Sequence, residues 1–263
     1  MTLYWMSGQI DSWKIRIALE EKQLQGYKSI MIIRSDYIDK NDNFWKDNEY
    51  GILPSLRIQD ITLNGVLPAL LFLETSIPSL LPEFSPEEKA LVLQRAFESL
   101  KFQRICSEDL IGYFFSIDNL NPLSIDRELR EKREENLFFE LIRWNDYITQ
   151  NSMNSIAYTS FTLADILFFP DLALAVRFGL SLDYFPQLNN YYETLSKRAS
   201  IHKTWPYHWL HTTHTYNWLS NITQFSKLYE KQLESTSNIS IHQNMDDNIE
   251  LLTESFEETK SLI

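Results

Sequence analysis

The sequence holds one cysteine, an excess of acidic over basic residues, and no long apolar run. A lone cysteine, Cys106, excludes a disulfide within the chain, so nothing requires an oxidising compartment. The 24 basic residues stand against 36 acidic ones, and this formal net charge of -12 argues against nucleic acid or an anionic bilayer as a broad-surface partner. Apolar stretches such as "VLPALLFL" are too short to cross a membrane, and the first residues lack the pattern of a secretory signal. We therefore expect a cytoplasmic protein with no membrane span.

The 263 residues are 44% hydrophobic and 14% aromatic, which is ample for a packed core. The first part of the chain alternates between strand and helix patterns. In order, these are a strand at 2–5, a helix at 12–24 capped by Ser12, a strand at 28–33, a hairpin at 55–64 and an apolar helix at 66–76. This order predicts a βαβ unit followed by a ββα unit.

Prolines 78, 82 and 86 divide the chain, because neither a helix nor a central strand accepts them at that spacing. Helical periods dominate afterwards, near 86–112, 123–150, 162–179, 186–198 and 200–220. We predict an α/β domain at 1–77, a linker at 78–86, an all-α domain at 87–221, and a polar tail at 222–263. The tail is either disordered or closed by a terminal helix.

Four stretches carry a resemblance to a known family: "MTLYWMSG…SWKIRIALEEKQLQGY", "GILPSL", "FTLADILFFPDLA" and "FGLSLDYFPQLNNYYETLSKRASIHKTWPYHWL". Over about residues 1 to 220 the chain resembles the cytosolic glutathione transferases, most closely the rho class known from fish. The resemblance implies a thioredoxin-like N-terminal domain, an all-helical C-terminal domain and a homodimer. It also implies the use of glutathione as cosubstrate, conjugated to hydrophobic electrophiles in detoxification.

The resemblance assigns a role to Pro54. In this family the matching proline is cis, and the backbone N–H and C=O of the residue before it, here Leu53, pair with the cysteinyl part of glutathione. Without the resemblance, Leu53-Pro54 reads as an ordinary junction between a loop and a strand.

Three residues are candidates for the group that stabilises the glutathione thiolate. Aligned on Trp13, the serine of the rho and theta pattern falls on Gln9, whose amide is a weaker donor than a hydroxyl. Ser7 and Ser12 flank it, and either replaces it if the loop shifts. The fourth alternative is that none of the three contacts the sulfur.

Other positions depart from the family pattern in the direction of weak glutathione binding. The family places a Glu/Gln-Ser pair at the start of its third helix to hold the γ-glutamyl group, whereas this chain has Gly65-Val66, of which we expect only the backbone N–H groups to be available. Lys46 is the nearby cation for the glycyl carboxylate, and Asp47 and Glu49 oppose the ligand's charge.

The remaining patterns have simpler interpretations. Thr162 and Asp165 form a capping box for the helix that follows, and Cys106 is a small buried residue rather than a nucleophile. Tyr113, Phe114 and Phe115 occupy the region where the family builds its hydrophobic substrate pocket, although core packing explains them slightly better. His208, His211 and His214 lack carboxylate support, so we read them as an exposed helix end and predict no metal.

Three functions fit these observations. The first is a glutathione transferase, and the second is a catalytically silent relative that binds hydrophobic ligands or protein partners. The third is a thiol-disulfide oxidoreductase or a glutathione-dependent isomerase, which ranks last because it needs a cysteine at the first helix.

Overall fold

A computed structural model describes residues 1–33, 43–46, 48–76, 78–83, 85–114, 126–151, 155–212 and 216–231. The chain divides into two units, Met1–Ile222 and Thr223–Ile263. Most of the tail lies outside the described residues, so its character stays a prediction, as does the division at 78–86. Within the described ranges, no helix is both long and apolar enough to cross a bilayer.

Four short strands form one mixed sheet in the order β2-β1-β3-β4. They are β1 (Thr2–Trp5), β2 (Lys28–Met31), β3 (Ser55–Ile58) and β4 (Ile61–Asn64). Strand β1 pairs with β2 in parallel and with β3 antiparallel, and β3 pairs antiparallel with β4. This is the predicted βαβ-ββα arrangement, because helix α1 connects the parallel pair and α3 follows the hairpin.

The first part of the chain has three helices: α1 (Ile10–Glu21), α2 (Asn43–Lys46) and α3 (Val66–Leu73). The second part begins with α4 (Pro86–Gln103), which continues as a π-helix at Arg104–Ile111. Then follow α5 (Arg127–Asn151), α6 (Leu163–Arg177), α7 (Pro186–Ser196), α8 (Ala199–Thr204), α9 (Tyr207–His211) and a 3-10 turn at Ile222–Phe225. The expected all-helical second part is therefore confirmed.

Two predicted helix features are wrong. The segment 200–220 is not one helix, because Pro206 separates α8 from α9 and α9 ends at His211. Proline disfavours helical geometry in the residue before it, and Trp205 has a ψ of 135°. Ser12 does not cap α1, because the helix starts at Ile10 and Ser12 lies inside its first turn.

The predicted capping box at the start of α6 is confirmed. The backbone N–H of Thr162 donates to the Asp165 carboxylate at 2.8 Å. Ser155 and Tyr191 donate their hydroxyls to the same carboxylate at 2.8 and 3.1 Å. Asp165 is fully buried, so these bonds satisfy a group that would otherwise be costly to bury.

Helix α1 joins the sheet to the helical part of the chain. Trp13 is 2% exposed; its indole N–H donates to Thr204 Oγ1 at 3.0 Å, and its ring lies 4.9 Å from that of Trp205. At the other end of α1, Arg198 donates to both carboxylate oxygens of Glu21 at 2.6 and 2.7 Å. The loop that precedes α1 is therefore held in a defined position against α8 and α9.

A buried ion pair connects α1 to α6. Lys14 Nζ lies 2.7 Å from Asp171 Oδ2, and the two side chains are 1% and 0% exposed. Lys14 also donates to Gln103 Oε1 at 3.0 Å, and Ser107 donates to Asp171 Oδ1 at 3.4 Å. Burial raises the pKa of Asp171 to about 6 although the Lys14 ammonium acts in the opposite direction.

We expect Lys14→Met to lower the free energy of unfolding by about 3–5 kcal/mol near pH 8, because it leaves an uncompensated carboxylate in the interior. A carboxyl whose pKa is raised in the folded state stabilises the fold most at low pH, and that contribution is lost as pH rises through the folded pKa. The loss should therefore be smaller near pH 5, where Asp171 takes up a proton. Urea titrations at both pH values measure the difference.

The control for this prediction is Lys14→Met with Asp171→Leu, which removes both charges. This double variant should recover most of the stability and show no difference in its loss between the two pH values. An equal loss at both pH values in Lys14→Met alone would contradict the assignment.

Candidate functional site

Loop 6–9, residues 53–54 and the start of α3 meet at one place, which we call the candidate site. The amide of Gln9 donates to the Leu53 carbonyl at 2.9 Å, and the Gly65 N–H donates to the Pro54 carbonyl at 2.8 Å. These two hydrogen bonds tie the loop after β1, the segment before β3 and the start of α3 together. Most of the residues that the sequence singled out for glutathione therefore come together here.

The Leu53–Pro54 peptide bond is cis, which confirms the expectation for Pro54. Asn48, 1% exposed, fixes the preceding turn: its side-chain amide donates to the Ile52 carbonyl at 2.7 Å and accepts from the Ile52 N–H at 3.0 Å. This role of Asn48 was not predicted from the sequence. Its signal was an asparagine three residues before a glycine, a combination typical of side-chain-closed turns.

Ser12 does not qualify as the thiolate partner. It is fully buried; its hydroxyl accepts from the Met6 N–H at 3.2 Å and donates to Gln9 Oε1 in a very short contact. The side-chain amide of Gln9 in turn donates a hydrogen bond to the Leu53 carbonyl. Ser12 and Gln9 thus form one internal chain of hydrogen bonds that shapes the loop, with no donor left over on Ser12.

Ser7 is the candidate whose hydroxyl is not held inside loop 6–9. Its side chain is half-buried, and the hydroxyl lies 3.1 Å from His208 Nδ1, across 201 positions of sequence. Gly8 permits this approach: its φ is +81°, and a Cβ at that position would lie 2.7 Å from His208 Nε2. His208 lies on an exposed helix end, as predicted, but its contact with the loop was not predicted from the sequence.

The start of α3 corrects one expectation. The Gly65 N–H is not available for a ligand, because it donates to the Pro54 carbonyl. Val66 is the first residue of α3, a position whose N–H has no acceptor inside a helix. Gly65 has a φ of +92°, so a glycine suits this corner better than the Glu or Gln of the family pattern.

The charged residues that precede the cis-proline segment in sequence are exposed where the structure describes them. Lys46 ends α2 and is exposed, as is Glu49 in the turn after it. Asp47 lies outside the described residues, so the expected opposition of its charge to a ligand stays a prediction.

The predicted substrate-pocket residues lie on an aromatic wall. The Phe114 ring stacks on Trp218 at 5.3 Å, and Trp218 stacks on Phe178 at 5.1 Å. Tyr113 lies beside Phe114 at 6.1 Å and donates its hydroxyl to the Asp126 carbonyl at 3.1 Å. Phe114 is 8% exposed and therefore serves packing first. Phe115 lies outside the described residues.

Cys106 is fully buried, as predicted. Burial raises the pKa of its thiol, and the nearby Asp171 carboxylate raises it further. A buried thiol that resists ionisation is a poor nucleophile, which disfavours the oxidoreductase interpretation. Among the described residues, no three histidine, cysteine or carboxylate side chains are placed to share a metal ion, and His214 lies outside them.

No protein-family model matches the sequence. Glutathione S-transferase A of Pleuronectes platessa is 35% identical over 227 residues, which cover 84% of this chain and 98% of that protein. The chain belongs to the glutathione S-transferase family. The crystal structure of a glutathione S-transferase from the Antarctic clam Laternula elliptica is 31% identical, with a TM-score of 0.74, and the match covers 83% of this chain and 97% of that one.

A glutathione S-transferase from Methylobacillus flagellatus kt, determined with GSH bound, shares the fold at 19% identity and a TM-score of 0.65, over 78% of this chain and 98% of that one. The predicted family and fold class, thioredoxin-like followed by all-helical, are thus confirmed. The assignment to the rho class within the glutathione S-transferase family stays a prediction.

Gly8→Ala tests the contact between loop 6–9 and α9. A methyl group there would displace the His208 ring, so the imidazole resonances of His208 should shift in NMR spectra. Gly26→Ala is the matched control, because Gly26 has a similar φ of +77° and nothing within 4 Å of an added Cβ. Both variants should lose about 1–2 kcal/mol from the backbone conformation alone. Equal His208 spectra in the two variants would contradict the contact.

Proposed function

We propose that this chain is a glutathione S-transferase that binds reduced glutathione at the candidate site and conjugates its sulfur to hydrophobic electrophiles in the cytoplasm. The observation that supports the proposal is the pair of hydrogen bonds that join Gln9 to Leu53 and Gly65 to Pro54, with the Ser7 hydroxyl two residues before Gln9 in the same loop. A cosubstrate with a thiol, a peptide backbone and a γ-glutamyl carboxylate needs those three kinds of group.

The chemistry needs a thiolate near neutral pH. A thiol with a pKa near 8.5 must be shifted by about 2 units, worth roughly 2.7 kcal/mol, and a hydroxyl that donates to the sulfur supplies much of this. Ser7 is the best-placed hydroxyl, since Ser12 is buried and engaged. The electrophile would lie against the aromatic wall of Tyr113 and Phe114.

The second candidate function is a catalytically silent relative. The amide of Gln9 occupies one lone pair of the Leu53 carbonyl, which is where the N–H of a cysteinyl residue would bind. The Gly65 N–H is also taken, and neither Gly65 nor Val66 carries a polar side chain. These features favour weak glutathione binding.

Isothermal titration with reduced glutathione separates the two functions, and Val66→Ser sharpens the result. The added hydroxyl at the N-terminus of α3 should contribute a charge-assisted hydrogen bond to the γ-glutamyl carboxylate, about 1.5–3 kcal/mol or roughly tenfold to hundredfold in affinity. Val66→Ala is the matched control, because it loses the same packing without adding a donor. We leave Gly65 unchanged, since its φ of +92° strains any other residue.

If Val66→Ser and Val66→Ala bind equally, the γ-glutamyl group does not lie at this helix terminus. Absence of measurable binding to wild type and to Val66→Ser would favour the silent relative.

We also propose that the protein is a homodimer. Leu71 and Phe97 are 56% and 55% exposed, and Phe72 is 37% exposed. They lie on α3 and α4, where leucines and Phe97 also line a small apolar cavity of about 40 Å³. An apolar face of this kind needs cover, and a second copy provides it as the family resemblance implies.

Light scattering at micromolar concentration and physiological salt should give twice the 31.2 kDa of one chain. Phe97→Glu should yield the monomer mass, because it buries a charge in the interface. Leu210→Glu, at a side chain 65% exposed on α9, is the control and should remain dimeric. A monomeric wild type would exclude the dimer.

A further inference from the structure

Helix α9 presents His208 to the loop that carries Ser7. The Ser7 hydroxyl lies 3.1 Å from His208 Nδ1, within hydrogen-bonding distance. The imidazole also covers the Cα of Gly8, where no larger residue would leave room for it. The ring therefore stands against the loop at the candidate thiolate donor.

The backbone that carries His208 is held from two other helices. From α6, the Arg177 guanidinium donates to the Trp209 carbonyl at 3.4 Å and to Thr212 Oγ1 at 2.5 Å. From α1, the Trp13 ring contacts that of Trp209 at a centroid distance of 5.6 Å. Although α9 has only five residues, its position is fixed by long-range contacts.

The charges around His208 favour its neutral form. His208 is exposed overall, but partial desolvation lowers the pKa of the imidazole, and the Arg177 guanidinium lowers it further. Loop 6–9 contributes the uncharged Ser7 hydroxyl, and on α9 the neighbouring Trp209 ring lies 6.4 Å away. A neutral imidazole at this place can accept a proton.

We propose that His208 is a positioning residue for Ser7 and receives the proton of the glutathione thiol through the Ser7 hydroxyl. The inference rests on the proposed transferase function. The S–H bond breaks and its proton passes to Ser7 Oγ, while the original Ser7 proton passes to His208 Nδ1. The products are a thiolate that accepts a hydrogen bond from Ser7, and an imidazolium that donates to Ser7 and later releases its proton to water.

His208→Asn tests the proposal, because the asparagine amide lies near the place of Nδ1 and keeps a hydrogen bond to Ser7 without accepting a proton. His211→Asn, on the same helix, is the matched control, and His208→Ala removes the hydrogen bond as well. For each variant, titration calorimetry gives the affinity for glutathione, thiolate absorbance against pH gives the ionisation of the bound thiol, and kcat/KM against pH gives the profile with an electrophilic aryl halide.

We expect His208→Asn to bind glutathione like wild type, to form the bound thiolate at higher pH, and to lose about 10²-fold in kcat/KM. The acid limb of its pH profile should move to higher pH, whereas His211→Asn keeps the wild-type profile. Ser7→Ala combined with His208→Asn should lose no more than Ser7→Ala alone, because both residues act on one proton.

A wild-type pH profile in His208→Asn would overturn the inference and leave the proposed function intact. Wild-type activity in His208→Asn together with reduced activity in His208→Ala would also overturn it. His208 would then only hold Ser7 in place by a hydrogen bond and would not accept a proton. Failure of wild type to bind glutathione would overturn both the inference and the proposed function.

Discussion

The buried ion pair between Lys14 and Asp171 is the constraint on which the rest of the structure depends. It fixes α1 against α6 from inside the protein, where neither charge has access to water. Breaking a buried pair costs more than forming it contributes, so the pair specifies one docking geometry for α1 rather than adding much net stability. Because loop 6–9 runs directly into α1, that geometry also decides where Ser7 and Gln9 lie relative to Leu53 and to α9.

At the candidate site, the groups proposed to bind glutathione differ from those proposed to act on its sulfur. Binding of the γ-glutamyl end of glutathione would be weak, because the Gly65 N–H already donates to the Pro54 carbonyl and Val66 has no hydroxyl. The groups that we propose to act on the sulfur, Ser7 and His208, are hydrogen-bonded to each other. In this proposal, affinity and thiol ionisation depend on different residues, so weak glutathione binding does not by itself exclude activation of the thiol.

Features set by local sequence could be predicted. The order of strands follows from the alternation of strand and helix patterns along the chain, and the capping box follows from Thr162 and Asp165, three residues apart. The cis conformation of Pro54 follows from the resemblance of the six-residue motif "GILPSL" to the family pattern. The contacts that decide the site join distant positions, Ser7 with His208 and Gln9 with Leu53, and depend on how α1 and α9 dock. The break at Pro206 was visible in the sequence; the apolar periodicity of 200–220 masked it.

Gln9 stands where the rho and theta pattern has a serine, and the absence of that serine does not by itself mean that the site has lost its function. Its amide accepts from Ser12 and donates to Leu53, so the residue at the family's serine position has become a brace between the loop and the cis-proline segment. We propose that the hydroxyl donor is instead Ser7, two residues earlier, where the imidazole of His208 is within hydrogen-bonding distance. One loop thus carries both contacts: Gln9 binds it to the cis-proline segment, and Ser7 binds it to α9.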